Sequence, residues 1–292
     1  MPENAPSGAL APAPSSLQAS CDARLLEIWL HGRSPHTRRA YAADAARFTA
    51  RAGKPLAAVT LSDLQTFADS LGCLAPASRC RTLSAVKSLL AFGHRTGYLP
   101  FDVGRALRLP AMRGRLAERI LPEGDIHRML GLAPGERNRA LLTVLYASGV
   151  RVSELCGLRW RDVQPSGAGC QITVFGKGAS TRAIQLPASV ATLLGKLRGA
   201  AGEEHPVFRS RKGGRALEPG AVFRIVRQAA LRAGIEAAVS PHWLRHAHAS
   251  HALDHGAPMH LVQATLGHAS LTTTGRYLHA RPNDSSSRFL PL

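Results

Sequence analysis

PHWLRH (Pro241–His246), LGHAS (Leu266–Ser270) and GRYLH (Gly275–His279) follow one another near the C-terminus and decide the reading of the whole chain. His242 and Arg245 are three residues apart, so on a helix they share one face. By itself that pair is an ordinary solvated helix face; its company gives it meaning. His268 precedes Tyr277 by nine residues. Imidazoles, a guanidinium and a phenol in this order fit a pocket that holds a phosphate beside a tyrosine. Upstream, YASGVRVSELCGLRW (Tyr146–Trp160) sets Arg151 after a glycine and ahead of an apolar helical run containing Leu155 and Leu158. A helix start there presents a guanidinium to a cleft. Between the two, QITVFGKGASTRAIQLP (Gln171–Pro187) reads as strand, Gly-Lys-Gly turn and strand, with Lys177 at the hairpin tip.

Arg151, Lys177, His242, Arg245, His268 and Tyr277 together resemble the signature of the tyrosine recombinase (integrase-type) family. The flanking GVRVSEL, GKG, HWLRHAHASH and LGHASLTTTGRY are similar to its small Xer-type members. SPHTRRAYAADAARF (Ser34–Phe48) resembles the opening of the family's DNA-clasping N-terminal domain, so the similarity spans residues 22–280. The resemblance implies a mainly α fold with a small antiparallel β-sheet. It also implies a two-domain clamp, with an N-terminal helical core-binding (SAM-like) domain and a C-terminal catalytic domain. The expected partners are double-stranded DNA recombination sites. The expected assembly on DNA is a homotetramer, or a heterotetramer with a second recombinase, exchanging one strand at a time. GKGAST departs from relatives that carry a second basic residue near Ser180, while Arg182 remains.

The chemistry required of such a site matches these residue types. A phosphodiester repels nucleophiles and has a poor leaving alkoxide, so a catalyst must supply positive charge, a nucleophile and a proton donor. Tyr277 is the expected nucleophile, forming a 3′-phosphotyrosyl link that stores the bond energy without metal or cofactor. Arg151 and Arg245 are expected to hold the non-bridging oxygens, and His268 to donate to the same phosphate. His242 is expected to accept or relay the tyrosine proton, and Lys177 to protonate the departing 5′ oxygen. Glu154 reads as a structural partner of Arg151 or a neighbouring helix.

Composition is consistent with a polyanionic partner. Lys plus Arg number 37 against 19 acidic residues, for a net charge of +18 with His neutral. Arginine supplies 32 of the 37 cations, a bias that genome composition also produces. The five cysteines, Cys21, Cys73, Cys80, Cys156 and Cys170, are odd in number and form no CxxC pair, which speaks against a disulfide framework or zinc ribbon. No apolar run approaches the ~18 residues of a membrane span, and the N-terminus lacks a secretory pattern, so a cytoplasmic protein is expected.

Residues 1–20, rich in Pro, Ala and Ser, are expected to be disordered. Four helical patterns follow, around Leu25–Leu30, Tyr41–Phe48 (started by Ser34-Pro35), Leu61–Leu71 (capped by Thr60 or Ser62) and Ala77–Phe92, giving a domain over 21–105. A basic linker over 106–119 and a catalytic domain over 120–292, opening at Leu121-Pro122-Glu123, complete the expected layout. Arg38, Arg39, Arg79, Arg81 and Lys87, with Arg113 and Arg115 of the linker and Arg182 of the hairpin, are expected to contact DNA phosphates. The apolar end of SSSRFLPL suits docking on a neighbouring protomer.

Three other readings compete. His242 with His246, and His251 with His255, have the i, i+4 spacing of metal ligands, as in a metallohydrolase. Against that, HExxH is absent, Asp254 is the carboxylate nearby, and arginines already supply the charge a metal would duplicate. A type IB topoisomerase would use the same chemistry without synapsis. An architectural DNA-binding protein would keep the fold with a silent site.

Overall fold

The computed structural model of the protein describes residues 19–110, 116–176, 181–211, 213–268, 274, 275 and 277. The chain divides into two compact units, Met1–Arg113 and Gly114–Leu292.

The first unit is built on four helices, α1 (Asp22–Leu30), α2 (Pro35–Ala52), α3 (Leu61–Ser70) and α4 (Pro76–Arg95). Their ends follow local chemistry. Ser34 caps α2 by accepting from the Thr37 amide, Pro35 occupies its first turn, and Gly53 closes it at φ 63°. Thr60 and Asp63 exchange side-chain and backbone bonds in a capping box that starts α3. The core between them holds Leu25, Trp29, Phe48, Leu64, Phe67, Val86 and Leu89, with Phe48 and Phe67 meeting edge to face at 5.1 Å. Val103 is buried in this same core, and so is Leu107, which lies in the stretch expected to begin a linker.

One buried charge sits in that apolar setting. Asp44 of α2, 1 % exposed, accepts a fork from Arg81 of α4 and a bond from the Thr82 hydroxyl at 3.0 Å. Arg81 is therefore tied to its own domain, with its side chain still 45 % exposed. Lys87 likewise donates to the Leu107 carbonyl. Arg38 and Arg39 are exposed, and Arg79 is half-buried. Asp44→Ala is expected to destabilise the first unit by about 2 kcal/mol, because Thr82 and the half-exposed Arg81 lose a shared acceptor. Faster amide exchange along α2 and α4, with the second unit unchanged, is the result that checks it.

The second unit surrounds one larger core with α5 (Glu123–Gly131), α6 (Glu136–Ser148), α7 (Val152–Gly157), α8 (Ala188–Arg198), α9 (Pro219–Arg232) and α10 (Pro241–Asp254), while α11 (Met259–Leu266) builds a smaller cluster with Ala249 and Tyr277. Its sheet has three antiparallel strands in the order β1 (Val163–Ser166), β2 (Gly169–Phe175), β3 (Thr181–Leu186). The β2–β3 pair is the hairpin expected from sequence, and β1 is an added strand. Alternation along β2 buries Cys170, Ile172 and Val174 on one face, which α8 covers. Lys177, Arg113 and Arg115 lie outside the described residues. Among the described residues no helix is long and apolar enough to cross a membrane.

Candidate active site

Five elements of the second unit, α6, α7, β3, α10 and α11, build the surroundings of Tyr277. The end of α6 supplies the turn: Gly149 closes that helix at φ 58°, a left-handed conformation that suits glycine. A Cβ there would stand 2.7 Å from side-chain atoms of both His248 and Leu266. Two residues on, Arg151 precedes α7, and Glu154 folds back to accept from the Arg151 amide at 2.8 Å and its guanidinium at 3.0 Å.

Glu154 is the hub of the arrangement. It is buried, and it also takes a two-pronged bond from Arg182 of β3, at 3.0 and 2.7 Å. Burial opposes ionisation of this carboxyl, yet the bonds from Arg182 and Arg151 outweigh it and hold it below the usual carboxylate range. Arg182 is thereby engaged internally, its side chain 10 % exposed.

The C-terminal end of α11 gathers three guanidinium groups. Arg182 donates to the carbonyl of Thr265 at 2.7 Å, Arg245 to that of Leu266 at 2.7 Å, and Arg151 to that of Gly267 at 3.4 Å. These carbonyls have no partner inside the helix, and the helix dipole makes this end negative. Backbone oxygens and Glu154 together offset the repulsion of clustered arginines. Arg245, 4 % exposed, also donates to the Gly149 carbonyl. Burial first, and then the nearby Arg151, lower its pKa to about 10, which leaves it charged at neutral pH.

Tyr277 is 6 % exposed and packs with Ala249, Val262 and Leu266. Its hydroxyl lies 2.8 Å from Nδ1 of His246. The ring of His268 runs parallel to the phenol, 6.4 Å between centroids and 6° between planes, and His268 Nδ1 bonds the Thr274 hydroxyl at 2.9 Å. His242, one turn before His246 on α10, is exposed and 6.5 Å from it ring to ring. Burial raises the Tyr277 pKa against the opposing pull of Arg245. His246 and His268 are each pushed down to about 4, first by burial and then by neighbouring cations. Both imidazoles are neutral at pH 7. A cavity of about 710 Å³ opens beside His246, lined by Glu118, Arg119, Trp243, His242 and His246 among others.

The structure thus brings Arg151, His242, Arg245, His268 and Tyr277 into one neighbourhood. Against this geometry stand the comparisons with known proteins. The phage integrase family profile matches residues 119–284, and the phage integrase N-terminal SAM-like domain matches residues 26–97. The chain belongs to the phage integrase family. It is similar to tyrosine recombinase XerC of Xanthomonas campestris pv. campestris (strain B100), 36 % identical over 259 residues, covering 84 % of this chain and 79 % of that one. Tyrosine recombinase XerC of Myxococcus xanthus is 33 % identical over 266 residues, covering 84 % and 87 %. Among solved structures, XerA recombinase matches at 25 % identity and a TM-score of 0.51, covering 91 % of this chain and 96 % of that one. The XerH site-specific recombinase bound to its difH substrate matches at 21 % identity, TM-score 0.70, covering 91 % and 82 %. A lambda integrase dimer on a COC′ core site matches at 18 %, TM-score 0.71, covering 91 % and 79 %. The last two are likenesses of fold.

For this tyrosine recombinase, sequence reasoning overlooked the contact between His246 and Tyr277. The i, i+4 spacing of His242 and His246 placed both on one face, but nothing in it showed which ring meets the phenol. The remaining histidines of α10 and its C-cap point elsewhere: His248 bonds the Tyr146 carbonyl at 2.8 Å, His251 the Tyr146 hydroxyl at 2.9 Å, and the cap residue His255 the Glu123 carboxylate at 2.7 Å. Among the described residues no group of three or more His, Cys, Asp or Glu is placed to hold a metal.

Three half-buried imidazoles are expected to make the recombinase sensitive to acid. His246, His248 and His268 are each lowered from 6.5 to about 4. Below pH 6.5 the unfolded chain binds protons that the folded chain refuses, so stability falls as pH drops from about 6.5 towards 4. The urea midpoint of the second unit is expected to be lower at pH 5 than at pH 7. An unchanged midpoint would contradict neutral burial of these rings.

Proposed function

We propose that the chain is a site-specific DNA recombinase that cuts and rejoins duplex DNA through a 3′-phosphotyrosyl intermediate, without a metal ion. The observation that carries this reading is a buried tyrosine flanked by two neutral histidines, with Arg151 and Arg245 fixed beside it. Those guanidiniums, held in place before DNA arrives, would take the non-bridging oxygens of the scissile phosphate. Such preorganised charge is worth most where water is excluded. Because the guanidiniums already supply the positive charge, a metal would duplicate them.

Tyr277 would attack, His268 would donate to the phosphate, and Lys177 would protonate the 5′ leaving oxygen. Arg38, Arg39 and Arg79 of the first unit, with Arg113 and Arg115, would contact DNA phosphates so that the two units clamp a duplex. XerH and lambda integrase are described in DNA complexes, the latter also as a tetramer on a Holliday junction, which supports four protomers on two sites as the assembly here. A cytoplasmic setting suits this role.

The test is incubation with nicked suicide duplexes tiled from DNA flanking its own gene, in excess EDTA, followed by a denaturing gel. A protein–DNA adduct joined at a 3′ phosphate is the expected result. Activity lost in EDTA and restored by zinc would overturn the mechanism. Relaxation of supercoiled plasmid without product exchange between two sites would instead mark a topoisomerase.

A further inference from the structure

We propose that His246 is a catalytic residue: it takes the Tyr277 proton during strand cleavage and returns it during rejoining, the task the sequence had suggested for His242. This rests on the recombinase reading above. The geometry is direct. Nδ1 of His246 lies 2.8 Å from the Tyr277 hydroxyl, within proton-transfer reach. His242 stands one turn earlier, 6.5 Å from His246. His268 stacks on the phenol ring and has its own Nδ1 engaged with Thr274. His246 also lines the open cavity beside the site, so one ring faces both the buried nucleophile and the space a DNA strand can enter.

The surroundings suit an acceptor. From α10 the ring meets His242 and Arg245, from the turn before α5 it meets Arg119, and across from it stand Tyr277 and His268. Glu118 lines the same cavity. Burial and these cations keep His246 unprotonated in the resting state, ready to receive. When a phosphate enters, its negative charge counters those cations and raises the basicity of the ring at the moment of attack.

The protons balance. Tyr277 Oη bonds to phosphorus as the P–O5′ bond breaks, and the phenol proton passes to Nδ1 of His246, which becomes imidazolium. The 5′ oxygen leaves with a proton from Lys177. On rejoining, the 5′ hydroxyl gives its proton back to Lys177 and attacks phosphorus, while His246 reprotonates the departing tyrosine. No outside donor is needed.

Two measurements test this. In the DNA-free protein, long-range ¹⁵N–¹H spectra at pH 7 should show His246 with Nδ1 unprotonated and the hydrogen on Nε2, and the Nδ1 signal should shift in Tyr277→Phe. A hydrogen on Nδ1 would make the ring a donor to Tyr277 and overturn the proposal. On the nicked suicide duplexes, His246→Asn should slow adduct formation about 100-fold, within the range of general-base effects. Replacing Tyr277 by a more acidic fluorotyrosine should recover most of that loss in His246→Asn but not in His242→Asn. An unchanged rate in His246→Asn, or a loss that fluorotyrosine leaves intact, would mean that His246 only packs against the phenol. If wild type forms no adduct on any duplex, the recombinase reading fails, while the tautomer measurement still decides whether His246 can accept the proton.

Discussion

Tyr277→Phe is expected to abolish the covalent protein–DNA adduct and all strand exchange while leaving DNA affinity intact. The substitution deletes one oxygen, the one bonded to His246; among the described residues the ring partners of the phenol are His246 and His268. The aromatic ring stays packed against Ala249, Val262 and Leu266, so the fold should lose only the hydrogen bond to His246, about 1 kcal/mol. Denaturing gels read the adduct, and gel shifts with the same duplexes read binding. A Tyr277→Phe protein that still links to DNA would place the nucleophile elsewhere, and one that no longer binds would make Tyr277 a structural residue.

Glu154→Ala should have the largest effect on stability, about 3–5 kcal/mol. Glu154 accepts two bonds from Arg182 and two from Arg151, and it is the carboxylate those guanidiniums share. Without it Arg182, 10 % exposed, keeps its carbonyl partner but loses its counter-charge inside the protein. Arg151 and Arg182 then repel each other without compensation. The urea midpoint of the second unit, followed by Trp160 and Trp243 fluorescence, should fall. Glu154→Ala combined with Arg182→Met should be less damaged than Glu154→Ala alone, because the unpaired cation leaves with its partner. Equal damage in the single and double variants would mean that Glu154 acts through Arg151 alone. Adduct formation should drop in both, since Arg151 loses the carboxylate that aims it.

The contrast between Glu154 and His246 shows what a sequence discloses. Helix starts such as Ser34-Pro35 and Thr60-x-x-Asp63 were legible because a cap is a local bond between residues three apart. The β2–β3 hairpin was legible for the same reason. The order of Arg151, His242, Arg245, His268 and Tyr277 pointed to a phosphate site because few other functions need those groups together. The internal partners of Arg182 were not legible, because Glu154 and Thr265 lie 28 and 83 residues away and only the fold brings them to it. The partner of Arg81 was hidden in the same way, with Asp44 lying 37 residues before it. Isolated arginines on a basic chain look like DNA contacts until a buried carboxylate is found against them. His246 was seen, but which of two rings on one helical face meets the phenol is a matter of side-chain placement.

The acceptors at the end of α11 have a consequence for how this site withstands mutation. Arg182, Arg245 and Arg151 are placed by the backbone oxygens of residues 265, 266 and 267, which every amino acid carries. Substituting Thr265 cannot delete the oxygen that receives Arg182. Leu266 is constrained by its burial, and Gly267 by its left-handed φ of 63° and an Arg182 nitrogen 3.1 Å from where a Cβ would stand. Drift in the letters of this segment therefore leaves the cation geometry heritable. What can scramble it is a change in where the helix ends, so an insertion or deletion before Gly267 endangers the site far more than any exchange at Thr265.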